Sequence, residues 1–95
     1  MSVLEFDPEL VGRLSAEAEQ ALADEPEQRR HVLRALQSCW RDALTPTQRK
    51  YLALYYHKRM TMREIGELHG VTVATVSRTL KRARNRLRTV LQYYL

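Results

Sequence analysis

The sequence predicts an all-α fold, a small helical domain of about five helices that ends in a helix-turn-helix. Two observations support this fold class: apolar residues recur at steps of three and four, and no strand-like alternation of useful length occurs. Only three Gly and three Pro interrupt the chain, and each Pro lies at a helix start. With 95 residues and an apolar fraction of 44%, the chain can form one domain with a modest core.

The first two helices are expected in the acidic part of the chain. Asp7-Pro8 resembles an N-cap followed by Pro in the first turn, which predicts a helix near 8–23. Glu25-Pro26 marks a break, and a second helix is expected near 27–43. Their predicted inward residues are Leu10, Val11, Leu14, Ala18, Ala21 and Leu22, then Val32, Leu33, Leu36, Cys39, Trp40 and Ala43.

The third helix is expected near 46–58, after a second start signal. Thr45-Pro46 followed by Gln48 predicts a capping box, in which the Thr and Gln side chains bond each other's backbone N–H groups. The side chains that this helix would bury are those of Tyr51, Leu52, Tyr55 and Tyr56.

A short helix near 62–69 begins the predicted helix-turn-helix. Thr61 and Glu64 have the spacing of a capping box, and Ile65 and Leu68 are expected to face inward. Gly66 should let the second helix come close, since two helices that cross steeply need a small residue where they meet. Gly70 falls where the first helix must stop, because Gly readily adopts the left-handed conformation.

The last helix is expected near 73–93, with Val71 filling the turn and Thr72 as its N-cap. Its apolar positions form one stripe at steps of three or four: Val73, Val76, Leu80, Ala83, Leu87, Val90, Leu91 and Tyr94. The opposite face carries Ala74, Arg78, Lys81, Asn85 and Arg88. A basic helix after a capped helix and a Gly turn is typical of DNA-binding helix-turn-helix units.

Leu44 to Arg88 resembles region 4, the promoter-reading C-terminal domain of sigma-70 family sigma factors. The matching pieces are LTPTQRKYLALYY, EIGELHGVT, Val76 and RARNRLR, in the order and spacing of the family. The DNA-binding domain of two-component response regulators also tends to begin with Leu-Thr-Pro. Its last helix does not usually end in this Arg-Ala-Arg pattern, so the sigma resemblance is preferred. The first 43 residues match no family.

The resemblance implies that the last helix enters the major groove of double-stranded DNA near its N-terminal end. Carried over by position, the base-reading candidates are Val73, Ala74, Thr75, Ser77 and Arg78. Arg78 is the candidate for bidentate recognition of guanine. The phosphate-binding candidates are Thr61, Arg63, Thr72, Lys81, Arg82, Arg84, Arg86 and Arg88. In the family, comparable basic positions also bind RNA polymerase. The pairs Arg49-Lys50 and Lys58-Arg59 are interpreted as solvated charge.

Charge divides the chain into two parts. Residues 1–44 carry nine acids and five bases, net −4, and residues 45–95 carry two acids and eleven bases, net +9. The basic part, expected to be the DNA-binding unit, should attract polyanions through phosphate contacts and counterion release. For residues 1–44, three interpretations are open: a helical hairpin covering the DNA-binding unit, a surface for dimerisation or another partner, or an acidic mask that competes with DNA.

Catalysis and small-molecule binding are not expected. His31, His57 and His69 lack metal-ligand spacing, and no nucleophile motif, phosphate-binding loop or dinucleotide fingerprint occurs, so no metal, cofactor or small ligand is predicted. No apolar run reaches the 18 residues of a membrane span, and a secretory signal is not expected in MSVLEFDPEL, which has no basic start and no apolar stretch. Cys39, the single cysteine, is interpreted as a core residue in a cytoplasmic protein. Tyr93, Tyr94 and Leu95 are interpreted as core or dimer contacts.

Two functions follow. The first is a sequence-specific regulator of transcription, from a bacterium, phage or mobile element, that binds double-stranded DNA as a stand-alone protein or as half of a split sigma factor. The alternative is a protein-interaction module that uses the same fold to bind RNA polymerase or an anti-sigma partner. A homodimer is compatible with the first function, because many helix-turn-helix proteins bind DNA as two-fold dimers.

Overall fold

The computed structural model describes residues 26–94, which form four helices without a strand. Helix α1 spans Pro26–Ser38 and continues as a π-helical segment, Cys39–Ala43; α2 spans Pro46–Leu52 and continues as a second π segment, Ala53–His57. Helix α3 spans Met62–His69, and α4 spans Val73–Tyr94. The all-α prediction is confirmed, as are four of the expected helices. The helix expected near 8–23 lies outside the described residues.

Both α1 and α2 end in hydrogen bonds that reach back five residues instead of four. The N–H of Leu44 donates to the Cys39 carbonyl and that of Lys58 to the Ala53 carbonyl, each at 3.1 Å. Such a turn holds an extra residue, so the side chains after it are rotated relative to an α-helical count. For this reason the prediction that Ala43 faces inward is wrong: Ala43 is exposed and Leu44 is buried instead.

Helix α4 is the centre of the core, because α1, α2 and α3 all pack against it. Its residues Val76, Leu80, Ala83 and Leu87 are completely buried, and Val90 is half-buried at the edge. This confirms the predicted stripe from Val76 to Val90; the side chains of Leu91 and Tyr94 lie outside the described part of the structure. The buried side chains that meet it from the other helices are Val32, Leu36, Cys39, Trp40, Leu44, Tyr51, Leu52, Leu54 and Ile65. Tyr55 and Tyr56 are half-buried against this core.

Among the side chains that the structure describes, three large apolar ones are exposed: Leu68 by 60%, Val73 by 48% and Tyr93 by 84%. The inward prediction for Leu68 is wrong, because the buried side of α3 is the line of Ile65 and Gly66 and Leu68 lies away from it. Val73 precedes the first residue of α4 that reaches the core, so its place in the buried stripe is also wrong. The exposure of Tyr93 excludes the predicted core role.

Arg49 joins α2 to the end of α1 and is not the solvated charge that the sequence suggested. Its Nη1 donates to the carbonyl oxygens of Leu44 at 2.7 Å, Arg41 at 3.1 Å and Trp40 at 3.2 Å. The last carbonyls of a helix have no partner inside it. Arg49 supplies one, and so fixes the corner between the two helices.

Candidate nucleic-acid interface

The first helix of the motif, α3, starts at a capping box. The Glu64 N–H donates to Thr61 Oγ1 at 3.1 Å, and the Thr61 N–H donates to Glu64 Oε1 at 3.0 Å. The hydrogen bond from the Thr61 backbone lowers the pKa of the Glu64 carboxyl, with a smaller contribution from the Thr61 side chain. The predicted start of the helix-turn-helix is thus confirmed. An identical arrangement of Thr45 and Gln48, also predicted, begins α2.

The turn between α3 and α4 depends on two glycines. Gly70 has φ 67° and ψ 34°, the left-handed conformation expected at a helix end. The Val71 N–H donates back to the Gly66 carbonyl at 2.9 Å. A Cβ built on Gly66 would lie 2.7 Å from the Val71 carbonyl oxygen. Gly66 therefore permits a close approach, as predicted. The neighbour that comes close is the backbone of the turn, at Val71 and Thr72, and not the second helix itself.

Thr72 begins α4 as predicted. Its Oγ1 accepts the N–H of Thr75 at 3.2 Å and lies 3.0 Å from Thr75 Oγ1. Arg78 Nη2 donates to Thr75 Oγ1 at 3.4 Å, which extends the chain of polar contacts one turn further. The Thr79 hydroxyl donates to the Thr75 carbonyl at 2.9 Å. The contacts among Thr72, Thr75 and Arg78 hold the polar side chains of the first two turns in one row.

The five predicted base-reading residues lie on these first two turns. Ala74 and Arg78 are exposed and stand four positions apart, on the side of α4 opposite its buried stripe. Val73 is half-exposed, while Thr75 and Ser77 are partly buried at the flanks of the helix. The structure thus brings an Arg, small side chains and two hydroxyl groups to one end of an exposed helix face.

The predicted phosphate-binding residues lie at several places around this face. Lys81, Arg82, Arg86 and Arg88 are exposed along α4. Thr61 and Arg63 are exposed at the start of α3, where Arg63 Nε is 3.3 Å from Glu67 Oε1. Arg84 differs, because it is partly buried and its Nη1 donates to Tyr56 Oη of α2 at 2.8 Å. No local sequence pattern indicates this contact, since its partners are 28 positions apart.

Cys39 of α1 packs in the core with residues of α4. Its Sγ donates to the Arg86 carbonyl at 3.8 Å, and burial raises the pKa of the thiol, an effect that the Arg86 charge partly offsets. The interpretation of Cys39 as a core residue is confirmed by its burial. Among residues 26–94 no group of three potential metal-ligating side chains comes together. None of the helices in that range is long and apolar enough to cross a membrane.

The family described as Sigma-70, region 4, matches residues 42–89, which include α2, α3 and most of α4. Comparison with curated proteins gives no match, and comparison with solved structures gives none either. The matched range covers half of the chain and agrees with the resemblance of Leu44 to Arg88. Region 4 is a helix-turn-helix DNA-binding domain of the transcription machinery, which accounts for the capped α3, the Gly70 turn and the basic α4. The chain therefore belongs to the sigma-70 region 4 family.

Proposed function

We propose that this protein is a sequence-specific regulator of transcription that inserts the start of α4 into the major groove of double-stranded DNA. One observation carries the proposal. The exposed face of the first two turns of α4, with Ala74 and Arg78, lies opposite a completely buried stripe. A helix anchored on one side and exposed on the other can enter a groove without disturbing the core.

Arg78 is the base reader in this proposal. A guanidinium can donate two parallel hydrogen bonds to O6 and N7 of guanine, and such a pair contributes about 1–3 kcal/mol of discrimination. The contact with Thr75 Oγ1 restricts the side chain of Arg78 before DNA arrives. Val73 and Ala74 present small apolar surfaces that suit thymine methyl groups, and Thr75 and Ser77 offer hydroxyls to bases or phosphates.

Phosphate contacts would fix the orientation of α4 in the groove. Thr61 and Arg63 lie at the N-terminus of α3, and Thr72 lies at that of α4, where N–H groups favour anions. Lys81, Arg82, Arg86 and Arg88 extend the positive charge along α4. Arg84 retains donors beyond the one that it gives to Tyr56, so it stays a phosphate candidate in this proposal.

The proposal is tested by selecting bound sites from random duplex DNA and then titrating the selected site at several salt concentrations. Arg78→Ala should relax the preference at one base position and weaken binding there by about 1–3 kcal/mol. Arg41→Ala is the matched control, since Arg41 is exposed at the end of α1, outside the proposed interface, with its Nε 3.3 Å from Oδ1 of its neighbour Asp42. Binding that shows no preferred sequence and vanishes near physiological salt would reject specific regulation.

A second function is a protein-interaction module that binds RNA polymerase or an anti-sigma partner. Sigma region 4 domains bind RNA polymerase as well as DNA. The exposure of Leu68 and Val73 on either side of the turn favours this alternative, because apolar side chains there suit a protein surface. Pull-down of bacterial core polymerase by the Arg78→Ala variant, in the absence of DNA, separates the two functions.

Sedimentation on the selected site would show whether one copy or a homodimer binds. Both functions fit a bacterial or phage protein acting in the cytoplasm.

A further inference from the structure

A continuous trough runs along the outer side of α1 and reaches the end of α4. One part is lined by His31, Arg34, Ala35 and Ser38, which are spaced at three and four and so lie on one face of α1. The other part is lined by Ala35, Ser38, Thr89, Val90 and Tyr93, between α1 and α4. The two parts share Ala35 and Ser38, so they form one surface, the α1 trough.

The α1 trough is apolar where the two helices meet. Val90 packs against the core from this side and is only half-buried, and the ring of Tyr93 is 84% exposed. Exposed apolar surface next to a core indicates that another apolar element can cover it. The trough meets α4 at its C-terminal end, from Thr89 onward and about three turns beyond Arg78, so an element bound there leaves the base-reading turns free.

The chain itself contains a segment suited to this surface. Residues 8–23 carry Leu10, Leu14, Ala18, Ala21 and Leu22 at helical spacing, and they precede the first residue of α1, Pro26, by a very short connection. Two helices joined by so few residues pack as antiparallel neighbours. A helix over residues 8–23 would be about 24 Å long, against about 20 Å for the 13 residues of Pro26–Ser38, so it spans the trough.

The charges of the segment and the trough are complementary. Residues 8–23 contain three acids, Glu9, Glu17 and Glu19, and one base, Arg13, net −2. Arg34 lines the trough, and Arg86 lies one turn before Val90 on α4, where its carbonyl accepts the hydrogen bond from Cys39 of α1. An acidic segment lying along α1 would therefore meet positive charge at the flanks and apolar surface in the middle.

We propose that residues 8–23 bind as an amphipathic helix in the α1 trough of the same chain, with Leu14 directed toward Ala35 and Val90. The occupant is the chain's own acidic segment. It is not a second copy, and it is not an acidic mask over the DNA-reading face. The proposal does not require the proposed DNA binding, because none of the residues that line the trough is a base-reading or phosphate-binding candidate, and only Arg86 at its flank is shared.

The test uses the full chain without DNA, carrying a nitroxide spin label on Ala16→Cys. Ala16 falls on the side of the predicted helix opposite Leu14, so the label does not enter the trough. Buried Cys39, with its raised pKa, should not react, and wild type treated identically verifies this. Binding in the trough predicts loss of the amide signals of Ala35, Ser38 and Val90 by paramagnetic broadening, while those of Ala74 and Gly66 persist.

Two variants that each add one carboxylate, on opposite sides of the predicted helix, distinguish docking in the trough from chance proximity. Adding Leu14→Asp to the labelled chain puts a carboxylate into the apolar part of the trough, so the signals of Ala35 and Val90 should return. Gln20→Asp adds the same charge on the other side of the helix and should leave the broadening in place. The unchanged amide spectrum of α3 in both variants shows that the fold persists.

Three results would overturn the proposal. The first is uniform absence of broadening, and the second is broadening of Ala74 and Arg78 instead, which is the result expected of an acidic mask. The third comes from mixing isotope-labelled chains without a nitroxide and nitroxide-labelled chains without the isotope. Broadening in that mixture means that the segment occupies the trough of a second copy.

Discussion

At the scale of single residues, Gly66 shows how one missing side chain shapes the reading unit. In an exposed helix interior, replacing Gly by Ala stabilises by about 1 kcal/mol. At position 66 the added Cβ would lie 2.7 Å from a backbone oxygen of the turn, and backbone cannot rotate out of the way. Replacing Gly by Ala at position 66 should therefore destabilise the protein instead of stabilising it.

Gly66→Ala is expected to lower the free energy of unfolding by about 1–3 kcal/mol, because the turn must move to relieve the contact. Urea denaturation followed by the fluorescence of Trp40 measures it. Gly70→Ala is the comparison: its Cβ would meet no atom, but φ 67° costs about 1–2 kcal/mol for an Ala. Gly70→Asn should lower the free energy of unfolding by less than Gly70→Ala does. A Gly66→Ala protein more stable than wild type would contradict the steric explanation.

At the scale of helices, the corner between α1 and α2 depends on Arg49. A guanidinium presents several donors in a fixed plane, and one of its nitrogens here meets three carbonyl oxygens. We expect Arg49→Lys to lower the free energy of unfolding by about 1–2 kcal/mol, since an ammonium on a flexible stem cannot reproduce this contact. Thermal unfolding measures the loss. Exposed neighbour Lys50→Ala, the control, should change stability by less than about 0.5 kcal/mol.

The two capping boxes predict different responses to pH. The folded state lowers the pKa of Glu64, so the ionised carboxylate stabilises α3 above the unfolded-state pKa, and this contribution is lost as pH falls through the lowered folded-state pKa. Glu64→Gln should therefore reduce stability at pH 7 and converge with wild type at low pH. Thr45→Ala, in the uncharged box of α2, should cost about 1 kcal/mol at every pH. Unfolding by urea between pH 3 and pH 7 compares them; parallel curves for Glu64→Gln and wild type would refute the linkage.

The starts of α2 and α3 were predictable because their signals are local: a Thr and an acceptor three residues later form a capping box. The end of α3 was predictable from Gly70, but the ends of α1 and α2 were not, since the five-residue hydrogen bonds at Cys39 and Ala53 have no sequence signature, and that at Cys39 displaced Ala43 from the core. In the site, the positions of Ala74 and Arg78 followed from spacing alone. The roles of Arg49 and Arg84 could not be predicted from spacing. Whether an arginine is hydrogen-bonded or solvated depends on its tertiary neighbours, which the residue type does not indicate.

At the scale of the whole molecule, the basic charge lies in the part of the chain that forms α2, α3 and α4. Binding to duplex DNA should weaken as salt rises, with a slope set by the number of phosphates contacted. Lys81→Ala is expected to weaken binding to all sequences alike and to reduce the slope of log K against log salt by about 1. Fluorescence anisotropy at several salt concentrations measures both. Lys50→Ala on α2 should leave the slope unchanged; equal slopes for wild type and Lys81→Ala would remove Lys81 from the interface.

The separation of the two sides of α4 has a consequence for how this protein can change. Stability depends on the buried Val76, Leu80, Ala83 and Leu87, whereas Ala74 and Arg78 are exposed on the opposite side of the helix. Substitutions at the two exposed positions should therefore be nearly neutral for folding while they alter the preferred DNA site. New target preferences can accordingly arise by single mutations in a chain that stays folded. In a library randomised at these two positions, most variants should therefore fold and express while they differ in the DNA sequence that they prefer.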